Sequence, residues 1–397
     1  MKRRPKIVVA SSGLGHVARG VESWADDLAA ALAARDADVE LCKGGGKAVR
    51  PYERVLPCWQ REARPTRRLL RLLPRRVSWR LGLESPYGVE QVTFGLALIR
   101  HLQRHRVDLL HVQDPTVAIM AERARRLGML RTRTILAHGT EESADFQRRI
   151  TFLQHLAPWH LNEARAAGIA RPHWAAIPNF IDTERFTPDS DAGMRIGLGL
   201  PAHASVILCV AAIKRHHKRI DHLLSEFATL RRERPDLPAW LVIAGGWEPE
   251  TDHLVEEGNR LLGDRVRFLV RFPRNRMQDL YRAADLFVLT SLKEMMPVAL
   301  LEASASGLPC LVHRHPVLQW MIGPGGEAID MEAAGTLAAA FNRWLSDKAT
   351  LRNAGAAARE PCVRMFGQRP VLDQILTYYE QVLNAALPDL RRERAHA

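Results

Sequence analysis

The chain has 397 residues, 47% of them apolar and 25% charged, with a formal net charge of +13. That length exceeds one ordinary hydrophobic core and fits two domains, and no apolar run is long enough to cross a bilayer. The five cysteines (Cys42, Cys58, Cys209, Cys310, Cys362) are scattered and form no CxxC pair, so neither a disulfide nor a zinc site is expected. The opening "MKRRPKIVVASSG" passes directly from basic residues into a strand-like run and a glycine loop. It makes a poor signal peptide, and a cytoplasmic protein is expected.

In chain order, the first apolar β-branched run is Ile7–Ala10, followed by "SSGLGHVARGVE". Gly13, Gly15 and Gly20 permit tight turns and close backbone approach, and a helix is expected from about Gly20. The spacing G-x-G-x4-G is not that of a dinucleotide fingerprint, so nicotinamide-cofactor binding is disfavoured. A loop of this kind, opening a helix, can hold a phosphate or leave room for a sugar; a purely structural turn is the alternative. In residues 21–37, Val21, Trp24, Leu28 and Leu32 fall on one helical face.

Residues 61–80, "REARPTRRLLRLLPRRVSWR", carry eight arginines against one glutamate, interleaved with leucines and a tryptophan. Such a segment suits an anionic membrane surface or an acidic acceptor, with Arg67, Arg68, Arg71, Arg75 and Arg76 as its contacts. An arginine-rich solvated face is the plain alternative. No nucleic-acid motif accompanies the charge, and no nucleic-acid partner is expected.

Further strands are expected at Leu109–Val112, ending in "HVQDP", and at Thr134–His138. The latter leaves His138 and Gly139 at a strand's carboxyl end, the edge where ligands bind in α/β sheets. A structural hydrogen-bonding histidine is the competing reading. The segment "IPNFIDTERFTPDSDAGMRIGLGLPAHAS" has weak periodicity and many turn-forming residues, and reads as a linker region.

After it the strand–helix alternation restarts, with strands expected at Val206–Ile213, Trp240–Ala244, Val266–Val270, Leu286–Thr290 and Cys310–His313. In "CVAAIKRHHKRIDHLLSEF", Lys214 to Arg219 pack six basic residues between a strand end and a helix start, where they can neutralise a diphosphate. Then comes "KEMMPVALLEASASGLPC", with Glu294 and Glu302 eight positions apart. Pro297 suits the first turn of a helix, which puts Glu294 in the loop before it, Glu302 about two turns in, and the stop near Gly307. The two acids can then address separate parts of one elongated ligand, whose anionic middle would face the free amides at the helix start. Strands alternating with helices in two blocks predict an α/β chain of two doubly wound, Rossmann-like domains facing across a cleft.

These motifs, in this order, resemble the retaining glycosyltransferase family 4, which has the GT-B fold. The resemblance runs over nearly the whole chain: the glycine loop with "GVE", His138, "IPNFIDTERFTP", the basic turn, "DLYRAADLFVLTS", the pair Glu294 and Glu302, and "ASGLPC". It implies an N-terminal acceptor-side domain over 1–185, with the C-terminal helix at about 371–397 packing back on it, and a donor-binding domain over 186–370. The implied enzyme is a retaining, metal-independent, hexosyltransferase-type glycosyltransferase without cofactor. It would use a nucleotide-sugar donor, UDP-sugar favoured over GDP-sugar, and a glycan, lipid-linked or small-molecule acceptor.

By the same resemblance, Glu302 would bind the ribose hydroxyls and Glu294 the donor sugar, near the backbone amides of Met295 and Met296. Lys218, with Lys214 or Arg215, would hold the diphosphate. Gly20 would line the donor site, and His138 would stand at the reaction centre, so that Glu294, His138 and Lys218 are the expected catalytic set. Where the family often has Gly-Phe-Gly after the first glutamate, this chain has Met295-Met296-Pro297; Pro297 has no amide to donate, and Arg219 replaces a glycine in the basic turn. A non-catalytic binding module on the same fold, or a NAD-dependent oxidoreductase, are the alternatives. A peripheral location at the inner membrane face would accommodate the arginine-rich segment.

Overall fold

A computed structural model of the chain describes residues 3–17, 20–72, 83–189 and 192–386. They divide into two compact units: one from Met1–Pro178 and Leu372–Ala397, the other from Asn179–Val371.

The first unit carries strands β1 (Ile7–Ser11), β2 (Val39–Lys43), β3 (Glu53–Val55), β4 (Leu109–Val112), β5 (Arg133–His138), β6 (Phe152–His155) and β7 (Ala175–Ala176). They form one seven-stranded parallel sheet in the order β3-β2-β1-β4-β5-β6-β7. Its helices are α1 (Gly20–Ala33), α2 (Arg64–Leu72), α3 (Pro86–His105), α4 (Pro115–Arg126), α5 (Ala144–Gln147) and α6 (Pro158–Ala166). β1 and β4 are buried at every position, as expected for central parallel strands covered on both faces. Val8, Ala10, Leu110 and Val112 pack with Phe94, Leu98 and Leu102 of α3 into one core cluster. α3 starts where Ser85 accepts the Gly88 amide at 3.0 Å ahead of Pro86, and ends at Arg106 in a left-handed conformation.

The second unit carries α7 (Ala192–Gly197), β8 (Ser205–Val210), α8 (Ile220–Glu233), β9 (Ala239–Gly245), α9 (Thr251–Leu262), β10 (Val266–Val270), α10 (Met277–Arg282), β11 (Leu286–Leu289), α11 (Val298–Ala305), β12 (Cys310–His313), α12 (Pro316–Ile322), β13 (Gly326–Ile329), α13 (Thr336–Leu345) and α14 (Lys348–Phe366). Its six parallel strands run β10-β9-β8-β11-β12-β13. Ile207, Cys209, Leu241 and Val288 meet Leu223 and Phe227 of α8 and Phe341 of α13 in its core. A fully buried side chain such as Phe227 supplies about 1.5–3 kcal/mol by leaving water. The last helix, α15 (Gln368–Asn384), belongs to the first unit from Leu372 on. There Tyr378 donates to the carbonyl of His173 at 2.7 Å, and the Tyr379 hydroxyl meets His111 Nδ1 at 2.7 Å.

Several expectations need correction. The run Val206–Ile213 stops being strand at Val210, and the helix over 21–37 spans Gly20–Ala33. β2, β3, β6, β7 and β13 carry no signal that the sequence reading caught. The stretch read as a linker is not free chain: Phe180, Ile181 and Phe186 are buried, and the Ile181 amide donates to the Phe366 carbonyl at 2.8 Å.

Each sheet has one place where strand order reverses, β1 beside β4 and β8 beside β11. The loops leaving the carboxyl ends of those strands diverge, and a crevice opens between them.

Candidate functional site

In the second unit the loops after β8 and β11 bring together the two motifs singled out in the sequence. Thr290 Oγ1 donates to the Lys218 carbonyl at 2.7 Å, and His217 Nε2 lies 2.9 Å from the Lys293 carbonyl, as donor. The Lys218 ammonium forms a short ion pair with Glu294, and His217 Nε2 lies 3.7 Å from the same carboxylate oxygen. Lys218 and Glu294 side chains retain 18% and 10% of their exposure, so the pair is reachable from solvent. The turn that aims Lys218 is bent through left-handed residues on either side, His217 at φ 70° and Arg219 at φ 51°. Glycine adopts such angles freely, whereas other residues spend about 1–2 kcal/mol on each. Arg219 is retained there by Nη1, which donates to the Met331 carbonyl at 2.6 Å.

The neighbouring basic residues behave differently. The Arg215 amide donates to Glu250 at 2.7 Å, and its guanidinium pairs with Asp221 at 3.3 Å and with Glu257. Arg215 is thus tied to carboxylates of α8 and α9 and not to Glu294. Lys214 makes no ion pair among the described residues.

After Glu294 the chain enters α11. Pro297 is its N-cap, extended at φ −72° and ψ 116°, and not part of the first turn as the sequence suggested. Its carbonyl accepts the Leu300 amide at 3.1 Å. Glu302 therefore lies little more than one turn into the helix, not two. Its carboxylate is buried, 8% exposed, and accepts the Tyr281 hydroxyl at 2.7 Å. Burial, reinforced by the Glu302 charge, raises Tyr281 well above the usual phenol range, so it stays a donor. The Met296 side chain is buried, and its sulfur accepts the Asn179 amide at 3.1 Å. Gly307 at φ 72° ends the turn after α11, where an added Cβ would sit 2.9 Å from that of Pro188.

In the first unit the loop after β1 is folded on itself. The Val17 amide donates to the Gly13 carbonyl at 2.9 Å, and the Gly45 amide to that of Leu14 at 3.0 Å. A Cβ on Gly15 would meet the Gly45 carbonyl at 2.2 Å, so the loop's glycine content follows from close backbone approach to the "GGG" of residues 44–46. Gly20 is exposed at the first position of α1.

Across the strand-order reversal, Asp114 accepts from the Ser12 amide at 2.7 Å and the Tyr87 hydroxyl at 2.8 Å. Glu90 accepts from Arg61 Nη2 at 2.6 Å and the Arg61 amide at 2.8 Å, and lies 2.8 Å from His16 Nε2. Burial pushes Asp114 upward against those donors. Burial also works to raise Glu90, but hydrogen bonds from His16 and Arg61 outweigh it and hold the carboxyl at about 2. Arg61, read in the sequence as part of a basic surface segment, is largely buried and stacked on Tyr87 at 4.5 Å. Glu90 and Tyr87 were not anticipated, and "HVQDP" was the one trace of Asp114.

His138 closes β5 and is 4% exposed; neither ring nitrogen has a hydrogen-bond partner. His155, its register partner on β6, is 1% exposed and equally unpartnered, with the rings edge-on at 5.6 Å. Burial, then the nearby His160, pulls His138 down to about 4. Burial, then His138, pulls His155 to about 3. Both imidazoles are neutral at pH 7, with nitrogens able to serve a ligand hydroxyl or water. The sequence offered no sign of His155, because "FLQH" is short and unpatterned. On α2, Arg67, Arg68 and Arg71 are exposed, as is Leu72. Arg75 and Arg76 lie outside the described residues. No helix among the described residues is long and apolar enough to cross a membrane.

Family models match the sequence of both units. The model for Glycosyltransferase Family 4 matches residues 18–185, and that for Glycosyl transferases group 1 matches residues 194–361. A D-inositol 3-phosphate glycosyltransferase from Corynebacterium urealyticum is 34% identical over 183 residues, 44% of this chain and 43% of that protein. The match spans about half the length of the curated relatives, or less. A sucrose-phosphate synthase from Thermosynechococcus elongatus superposes with a TM-score of 0.76 at 21% identity, covering 96% of this chain and 100% of that one. An Anabaena HepE structure in complex with UDP-glucose gives 0.73 at 15% identity, covering 95% and 99%. At such identities these structures show the fold, GT-B, and nothing finer.

Proposed function

This chain belongs to the family 4 glycosyltransferases, and on that premise we propose that it moves a sugar from a nucleotide-diphosphate sugar to a hydroxyl acceptor with retention of anomeric configuration. The observation that carries the reading is the Lys218–Glu294 pair on the loops after β8 and β11, directly ahead of the amino end of α11. A cation, a carboxylate and free helix-start amides suit the diphosphate and the sugar hydroxyls of one donor.

In this reading the donor exchanges the Lys218–Glu294 contact for its own: Lys218 moves to the diphosphate, and Glu294 accepts from sugar hydroxyls. Lys214 is the second phosphate ligand in preference to Arg215, whose guanidinium is taken by Asp221 and Glu257. Glu302, oriented by Tyr281, receives the ribose hydroxyls. Met295 lines the sugar pocket, Met296 and Pro297 fix the path of the loop, and Gly20 gives the donor backbone clearance. The acceptor oxygen attacks the anomeric carbon on the face from which the diphosphate leaves. The C–O bond to phosphate breaks as the new bond forms, and the departing phosphate oxygen takes the acceptor proton. Neutral His138 accepts a hydrogen bond from a substrate hydroxyl at the reaction centre, and no residue is assigned as a covalent nucleophile.

We favour a UDP-sugar, in line with the UDP-glucose bound in the Anabaena relative. The acceptor is a glycan, a lipid-linked sugar or a small polyol, and catalysis needs no metal or cofactor. We further propose a cytoplasmic enzyme that touches an anionic membrane surface through Arg67, Arg68 and Arg71. Unchanged liposome binding after their neutralisation would remove that last element.

Thermal unfolding in UDP, GDP, ADP and their sugars tests the core of the proposal. A ligand present at one hundred times its Kd stabilises by about 2.7 kcal/mol. UDP and a UDP-sugar should raise the melting temperature, and Glu294→Gln should lower sugar transfer about a hundredfold or more. No shift with any nucleotide at millimolar concentration would sink the reading; a shift with NAD(H) alone would favour an oxidoreductase.

A further inference from the structure

The residues Glu40 and Cys42 alternate on β2 and therefore point to the same side of the sheet. That side is covered by α3, since Cys42 packs in one cluster with Phe94, Leu98 and Leu102. His101, on the last turns of the same helix, reaches the two strand residues. One donor atom from each of Glu40, Cys42 and His101 lies within 4.8 Å of the other two. Cys42 is fully buried and His101 is 7% exposed, so the three-way junction is nearly dry. His105 follows one turn after His101, the i, i+4 spacing by which two helical histidines share a metal, and their ring centroids are 4.3 Å apart.

We propose that Glu40, Cys42 and His101 form a structural zinc site that clamps α3 onto β2. One carboxylate, one thiolate and one imidazole are a donor set that zinc accepts in tetrahedral geometry, with water or His105 as fourth ligand. His101 Nε2 and Glu40 Oε2 are 3.0 Å apart. Two such ligands on one tetrahedral zinc stand about 3.3 Å apart, given bonds of about 2.0–2.1 Å. The metal therefore takes the place of the proton now shared between those atoms, with little movement of either residue. The other Glu40 oxygen is bound by Arg54 Nε, the outer contact that orients a ligating carboxylate. Lys6 Nζ, at 3.7 Å from Glu40, is the cation the zinc displaces. On binding, the proton at His101 Nε2 is displaced and the imidazole carries its one proton on Nδ1; the Cys42 S–H bond breaks and its proton goes to solvent, so that the nitrogen and sulfur lone pairs form the Zn–N and Zn–S bonds.

The site escapes sequence reading because Glu40 and Cys42 lie some sixty positions before His101, and no CxxC pair marks the cysteine as a ligand. It lies apart from the residues given catalytic roles and is independent of the glycosyltransferase reading.

The test uses the full chain, stripped with chelator and titrated with Co2+ as a spectroscopic probe for zinc. One cobalt per chain with a thiolate-to-cobalt charge-transfer band, displaced by Zn2+, is the expected result. Cys42→Ser should remove the band, and His101→Gln should weaken binding at least tenfold. Should either variant fail to fold, X-ray absorption on the zinc-loaded unaltered protein still decides. It should show one sulfur at about 2.3 Å with nitrogen and oxygen at about 2.0–2.1 Å. Absence of stoichiometric binding, or a shell without sulfur, would overturn the site and leave the cluster an ion-pair network only.

Discussion

The two strand-order reversals are built alike and charged differently. At the first, between β1 and β4, Glu90 and Asp114 are 0% and 1% exposed and are saturated by donors from Arg61, His16, Ser12 and Tyr87. At the second, between β8 and β11, one partly exposed ion pair joins Lys218 to Glu294 across a turn bent through two left-handed residues. Removing a donor from Glu90 strands a charge in a dry environment, whereas the Lys218–Glu294 contact can be traded for water or ligand. The same topology serves as a lock in one unit and as an exchangeable contact in the other.

The largest expected effect breaks that comparison directly. Glu90→Ala leaves the Arg61 guanidinium without its main counter-charge, and breaking a buried pair on one side costs about 3–5 kcal/mol. Glu294→Gln should cost less, about 1–2 kcal/mol, because the amide oxygen still accepts from Lys218, whose side chain keeps 18% exposure. Its turnover should nonetheless fall about a hundredfold or more, the usual scale for losing one charge-stabilising contact. Urea unfolding of both variants, with sugar-transfer assays, checks the pair. Equal stability losses would erase the distinction between lock and exchangeable contact.

Acid sharpens it. His138, His155 and His111 are held at about 4, 3 and 3, chiefly by burial, against an ordinary value of 6.5. Between pH 6.5 and 4 the unfolded chain binds protons at these positions and the folded chain does not. Stability must then fall as pH drops through that window, by up to about 1.4 kcal/mol per pH unit for each histidine. The Glu90 contribution has the opposite partner state: it is present above about 4.3, the ordinary glutamate value, and is lost only as pH approaches 2. Hydrogen exchange at pH 7 and pH 5 should therefore show β4, β5 and β6 losing protection, with the Glu90 network still intact. Loss of the Glu90 network first would reverse the assignment.

Much of this architecture was legible. Central strands such as Ile7–Ser11 and Leu286–Leu289 read as continuous apolar runs because parallel sheets bury both their faces. The strands "VELCK", "FLQH" and "GEAI" were missed because polar residues break a run too short to set a period. Glu294 and the basic turn were singled out, since motif order survives in one dimension, and the fold brings the two together. What Arg215 does was not: Asp221 and Glu257 sit six and forty-two positions away, and only folding shows that they capture it. The Glu90–Arg61 and Asp114–Ser12 contacts were hidden for the same reason. The proline was recognised as a helix-start residue but placed one position too deep, which moved Glu302 by little more than a quarter of a turn.

A smaller effect probes the inner acid of the second unit. Tyr281→Phe removes the hydroxyl that Glu302 accepts at 2.7 Å, leaving a buried carboxylate short of a donor. The expected loss is about 1–3 kcal/mol in urea unfolding. If Tyr281 also orients Glu302 for the ribose, KM for the donor should rise while kcat changes less. An unchanged KM would confine Tyr281 to packing.

The smallest effect isolates the bend that aims Lys218. Arg219 stands at φ 51°, where glycine is free and other residues are strained, and its guanidinium donates to the Met331 carbonyl. Arg219→Ala deletes the hydrogen bond and keeps the strain; Arg219→Gly deletes the bond and relieves it. Glycine should therefore be the milder variant by about 1 kcal/mol, the scale of the left-handed penalty. Relative to the unaltered protein it should stand within about 1 kcal/mol, because the lost charge-assisted bond and the relieved strain oppose each other. Alanine as stable as glycine would mean that the turn relaxes once the guanidinium is gone. The bend at Lys218 would then be held by Met331 and not by the backbone.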